Sequence, residues 1–169
     1  MNRDFVEMLF ALSEAGADYL VVGAHALAAH GSPRATGDLD LWVRPTPANA
    51  ARVLEALRRF GAPLFDLTVD DLTGPDTVFQ IGLPPSRIDV LSGVSGVEFA
   101  DAWPRRVLLA IEGMTVPVIG REDFVANKRA AGRPKDLADL ALLGEGRHAV
   151  APRRARGRVR RPAARPRRS

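Results

Sequence analysis

Two aspartates separated by a single leucine stand in the run "PRATGDLDLWV", residues 33–43. Leu39, Leu41, Trp42 and Val43 are residue types that build strands, and side chains two apart on a strand leave from the same face. Asp38 and Asp40 therefore project together, about 6–7 Å apart along the chain, while Leu39 and Leu41 turn to the core. Trp42 falls on the carboxylate side, at its margin. Two carboxylates facing one cleft repel each other unless a cation or donor stands between them. Mg²⁺ (or Mn²⁺) answers that need, taking a few carboxylates together with phosphate oxygens and water. "SRIDVLSG" offers a third acid. Asp89 lies between Ile88 and Val90 in another strand-like run, and it joins the pair if the two strands are neighbours. There it would complete a metal site and accept the proton of an attacking hydroxyl. The competing reading of Asp89 is an ordinary ion pair with Arg87 or Arg34.

An acid-and-metal site working on phosphate also needs a seat for the anion. In "VVGAHA", Gly23 closes a β-rich run just before a helix begins. Backbone N–H groups and the helix dipole at such a junction attract phosphate. His25 follows on the same helix and reaches either the phosphates or a structural partner. Arg34 and Thr36 precede the acid pair in a loop that could reach substrate. Lys128, in "ANKRAAGRPKDLADL", is by itself one basic residue on an amphipathic helix, which reads as a solvated face. Asp136 and Asp139 read as capping and solvating residues of the last helix.

The elements that must hold these residues follow from periodicity. Phe5, Leu9, Leu12 and Ala15 recur at helical spacing over 3–15. Residues 18–23 predict a strand, and 24–31 a short helix closed by Gly31. Thr46 as N-cap, Pro47 at the first helical position and Gly61 as terminator delimit a helix with Ala50, Val53, Leu54, Leu57 and Phe60 on its inner stripe. Residues 62–76 read as irregular, with Asp66, Asp70 and Asp71 solvated. Strands at 77–82 and 87–92, a short helix near 97–103 and a hairpin turning at Glu112-Gly113 come next. Helices at 121–131 and 135–143 close the body. This order predicts an α/β (α+β) fold, a mixed β-sheet covered by helices.

Composition divides the chain in two. Residues 147–169 carry ten arginines and no acid, which leaves 14 basic against 20 acidic residues, a net of −6, in 1–146. The tail, Arg, Ala and Pro with little to bury, reads as a disordered segment able to contact nucleic acid, or as a merely solvated end. No cysteine is present, so disulfides and thiolate metal sites are excluded. No apolar run approaches the roughly 18 residues of a membrane span, and the N-terminus lacks the features of a secretory signal. A soluble, cytoplasmic protein without membrane contact is the expectation.

Together "GAHALAAHGSPRATGDLDL", Asp89 and the stretch from Lys128 to "RPKDLADL" resemble the nucleotidyltransferase superfamily with the DNA polymerase β-like fold. The likeness is nearest to small prokaryotic members, including the abortive-infection and toxin–antitoxin nucleotidyltransferases, and it covers most of residues 18–143. The resemblance implies transfer of a nucleoside monophosphate from an NTP to a hydroxyl, with Asp38, Asp40 and Asp89 as metal ligands and Asp89 also as base. It implies that Gly23 and Ala24 hold the triphosphate through their backbone, and that Lys128 contacts nucleotide phosphate with Arg133 and Asp136 in support. The acceptor is a protein, an RNA or a small molecule, and a toxin or antitoxin protein partner is implied. The family pattern has Gly or Ser where this chain has Ala24, so a hydroxyl contact is missing. The alternative is a protein that keeps the fold and acts through a partner without turnover.

Overall fold

The computed structural model describes residues 1–33 and 37–145. Helix α1 (Arg3–Glu14) starts at Asn2, whose side chain accepts the Asp4 N–H at 2.8 Å. Its inner face buries Phe5, Met8, Leu9 and Leu12, the stripe that the helical period picks out. Strand β1 (Tyr19–Val22) is buried along its whole length and runs directly into α2 (Gly23–Ala29). Strand β2 (Leu39–Val43) carries the acid pair, and α3 (Pro47–Phe60) follows with Thr46 as cap and Gly61 in the left-handed region at φ 89°.

Inside the segment read as irregular there is a further turn of helix, α4 (Val69–Thr73). Thr68 and Asp71 form a reciprocal capping box, and Leu72 is fully buried. Five residues are too few to show a helical period, so the capping chemistry carries this element. Asp71 is thereby structural as well as exposed.

Strands β3 (Val78–Ile81) and β4 (Ile88–Leu91) precede α5 (Phe99–Ala102) and a 3₁₀ turn at Trp103–Arg105. Strands β5 (Val107–Ile111) and β6 (Met114–Val118) make the hairpin, with Glu112 and Gly113 both at positive φ (48° and 77°), as a two-residue primed turn requires. Helices α6 (Arg121–Ala131) and α7 (Pro134–Leu142) complete the described chain.

The six strands form one mixed sheet in the order β3-β4-β2-β1-β6-β5. β2 pairs with β4, and β1 with β6, in parallel; the other neighbours are antiparallel. The core is continuous across Leu20, Leu39, Leu41, Val43, Val90 and Val118 with the inner faces of the helices. Buried Asn49 fixes the far end of β2: it accepts the Asp18 N–H at 2.7 Å and donates to the Asp18 and Arg44 carbonyls at 2.9 and 3.0 Å. Trp42 does not stand at the cleft margin. It is 1% exposed, edge-on to Phe99 at 5.1 Å between ring centroids. Arg34, Thr36 and the residues from 146 onward, and with them the readings placed on that loop and on the basic tail, lie outside the described residues.

Candidate active site

Sheet register assembles the acids. β2 and β4 are adjacent and parallel, and Asp40 stands opposite Asp89, so the two carboxylates leave neighbouring strands on the same face. Asp38 lies just before β2, two residues back on that face. Gln80 of β3 extends the row as the partner of Asp89, and Val22 of β1 faces Asp40 on the other side. Two positions further along, on the same face, Val78 pairs with Leu91 and makes an apolar step beside the acids. Leu39 and Leu41, pointing the opposite way, are fully buried.

Two glycines let this row close up. Gly23 has φ +67°, and a Cβ there would run into the Asp40 carboxylate. At Gly37 a side chain would collide with the backbone of Pro85 in the β3–β4 connection. The chain entering β2 is therefore pressed between the turn after β1 and the loop before β4. Only glycine satisfies the first position on both conformational and steric grounds.

The carboxylates differ in their partners. The Arg87 guanidinium grips Asp89 with both arms, Nε to Oδ1 at 2.8 Å and Nη2 to Oδ2 at 3.1 Å, and reaches Asp38 Oδ2 at 3.3 Å. Arg87 and Asp89 are two positions apart, so the alternation that aligns the acids also places the guanidinium on their face. Asp40 receives no hydrogen bond from a described residue. Burial pushes its carboxyl up to about 6, reinforced by Asp89 and Asp38 and opposed by Lys135 and Lys128.

Facing the sheet, α6 and α7 supply a cationic wall. Lys128 is not on a solvated face: it is 7% exposed, with Nζ 3.2 Å from Asp136 Oδ1 and 3.1 Å from Asp139 Oδ2. The same nitrogen lies 5.3 Å from the centre of the Phe124 ring. Asp136 also accepts the Arg133 backbone N–H at 3.1 Å and its Nε at 2.7 Å. Burial works to raise the Asp136 carboxyl, but the hydrogen bonds from Arg133 and Lys128 prevail and hold it below the ordinary range. Asp136 and Asp139 were expected to cap and solvate the last helix; Asp136 does cap it, but the two are 0% and 2% exposed. Three residues apart on one helix, they share the face that meets α6.

Between sheet and wall lies a cleft of about 820 Å³, within the range of small-ligand sites. Its lining brings together Gly23, Ala24, Asp38, Asp40, Asp89 and Lys128 from separate parts of the chain. His25 is not brought to it. Its ring packs edge-on to Phe5 at 5.5 Å and bonds the Asp38 backbone, with burial as the main cause that lowers its pKa. Sequence reasoning passed over Lys135, Gln80, Val78 and Asn127, all of which line the cleft; Arg87 entered only as a possible partner of Asp89. For Gln80 and Val78 the alternation within β3 was the available signal.

Three acids, an amide and no thiolate make a hard-oxygen donor set that suits a divalent cation such as Mg²⁺. Asp40, desolvated and receiving no hydrogen bond from a described residue, is the carboxylate most in need of one. Among the described residues no three acidic or imidazole side chains form a ready-made metal cluster, and Arg87 stands between Asp38 and Asp89.

A family model described as "Nucleotidyl transferase AbiEii toxin, Type IV TA system" matches residues 5–167. Among solved structures, a Thermotoga maritima protein assigned as a nucleotidyltransferase superposes with a TM-score of 0.55 at 16% identity, covering 82% of this chain and 89% of that one. The lincosamide antibiotic adenylyltransferase LnuA, solved with lincomycin bound, gives 0.53 at 9% identity, covering 86% and 98%. At these identities the likeness is one of fold. No curated protein matches the sequence significantly.

Proposed function

The chain belongs to the AbiEii nucleotidyl transferase family, and from that premise we propose that its cleft carries out metal-dependent nucleotidyl transfer. The observation that supports this reading is the register Asp40↔Asp89 beside Asp38, opposite a wall of lysine and arginine. In the reaction an acceptor hydroxyl oxygen bonds to the α-phosphorus of an NTP. The bond from that phosphorus to the α–β bridging oxygen breaks, and pyrophosphate leaves. A divalent cation held by Asp38, Asp40 and Asp89 would supply charge neutralisation on the phosphates. The residues themselves position and move protons. Lys128, Lys135 and Arg133 face the phosphate charge, with Lys128 aimed by Asp136 and Asp139. Gly23 and Ala24 let the triphosphate approach the backbone, Ala24 without a hydroxyl of its own. The acceptor's proton goes to the acid row. Asp89 is the base of this reading, acting once its carboxylate is released from Arg87.

The toxin description of the family supports a macromolecular acceptor, RNA or protein, ahead of a small molecule, with an antitoxin as the regulating partner. The test is incubation with each α-labelled NTP and Mg²⁺ or Mn²⁺ in the presence of separate RNA, protein and small-molecule pools. The pool that takes up label names the acceptor. No uptake by any pool, with no nucleotide bound, would remove the enzymatic reading.

A further inference from the structure

Arg87 stands out because a site meant for cations already contains one. Its guanidinium bridges Asp38 and Asp89 while Asp40 receives no hydrogen bond from a described residue. Its side chain and that of Asp38 remain 28% and 29% exposed, against 9% for Asp89, so the guanidinium sits on the open side of the acid row and lines the cleft. Two other cations of the cleft are committed differently. Lys128 is locked between Asp136 and Asp139, and Arg133 is tied to Asp136. Arg87 is thus a cation whose present partners are the carboxylates a divalent ion would use.

We propose that Arg87 is a resident counter-ion of the acid row which exchanges its carboxylates for the nucleotide's phosphates when a metal–nucleotide complex enters. The inference rests on the nucleotidyl-transfer reading of the same cleft and deepens it by assigning a phosphate ligand and an order of loading. With Arg87 in place, the three acids present a net charge of −2 rather than −3 (−3 + 1), and two of them have oxygens already in use. A bare divalent ion meets a weakened site. A triphosphate offers the guanidinium a bidentate partner as good as Asp89, and the acids are released to the metal arriving with it. Metal and nucleotide then bind cooperatively, each favouring the arrangement the other needs.

The test compares wild type with Arg87→Gln and Arg87→Lys, using Mn²⁺ alone followed by paramagnetic resonance of the free ion, and Mn²⁺ with a non-transferable NTP analogue followed by calorimetry. Outer partners of metal ligands change affinity by about 10–100-fold, so Arg87→Gln is expected to bind Mn²⁺ alone about tenfold more tightly. It is expected to bind the metal–nucleotide complex about tenfold more weakly, with most of the cooperativity gone. Arg87→Lys keeps the charge without the fork and falls between. A structural role alone would weaken both bindings together. Unchanged or weaker binding of Mn²⁺ alone by both variants, with the fold intact by circular dichroism, overturns the proposal. Failure of the wild type to bind metal–nucleotide at all instead removes the nucleotidyl-transfer reading, so the two failures are told apart.

Discussion

On the proposed reading, Asp40 sets folding against activity. Its carboxyl, pushed up to about 6 from 3.8 by burial and by Asp89 and Asp38, opposes folding whenever it is ionised. The folded state holds a proton more readily than the unfolded chain, so the penalty is absent below about pH 4. It grows as pH rises through 6 and is complete above. At about 1.4 kcal/mol per pKa unit, it amounts to roughly 2–3 kcal/mol. Asp40→Asn removes the charge and keeps the shape. It is expected to raise the denaturation midpoint at pH 7, to match wild type near pH 4, and to abolish transfer. Urea titrations at the two pH values check it; a variant less stable at both would refute the account. Lys128 and Lys135 oppose the shift from α6 and α7, so the pH profile belongs to the whole cleft. A residue that costs stability where it stands supports the proposal that this site is kept for function.

At the scale of elements, the cleft is a strand row facing a helix pair, and the helix pair is held by a buried charge network. Lys128→Met leaves Asp136 and Asp139 buried without their shared cation. The expected loss is about 3 kcal/mol or more, read by urea denaturation, together with loss of nucleotide binding; a loss under 1 kcal/mol would contradict the network. Much of this scale was legible in the sequence. The Thr46–Pro47–Gly61 punctuation, the Glu112-Gly113 turn and the alternation around Asp38, Asp40 and Asp89 all follow from local rules. What local rules could not show is pairing. Nothing in 107–118 says that β6 lies parallel to β1, or that β4 rather than β3 borders β2. Nor could local rules decide between a buried Lys128 and a solvated one, because its partners arrive from the next helix, eight and eleven residues on. α4 was missed because its capping box outweighs a period too short to see.

For the molecule as a whole, charge divides the chain into a body of net −6 and a terminal segment of ten arginines. Among the described residues no helix is long and apolar enough to cross a membrane. The core and cleft residues that the structure describes lie within 1–145. We therefore expect deletion of 147–169 to leave the thermal midpoint and nucleotide binding nearly unchanged. It should abolish any salt-sensitive association with RNA, since phosphate contacts by arginine release counter-ions and weaken steeply with salt. Melting curves and RNA binding at two salt concentrations check both halves. A large drop in the midpoint would show that the segment packs on the body.

The central claim is that this cleft transfers a nucleotidyl group, and the position of the label decides it most directly. Parallel incubations carry the same NTP labelled at the α- or the γ-phosphate, with Mg²⁺ and the RNA and protein pools, using wild type and Asp40→Asn. The account predicts acceptor labelling from the α-position only, release of the γ-label as pyrophosphate, and no labelling by Asp40→Asn. Acceptor labelling from the γ-position, or equal labelling by Asp40→Asn, would contradict it.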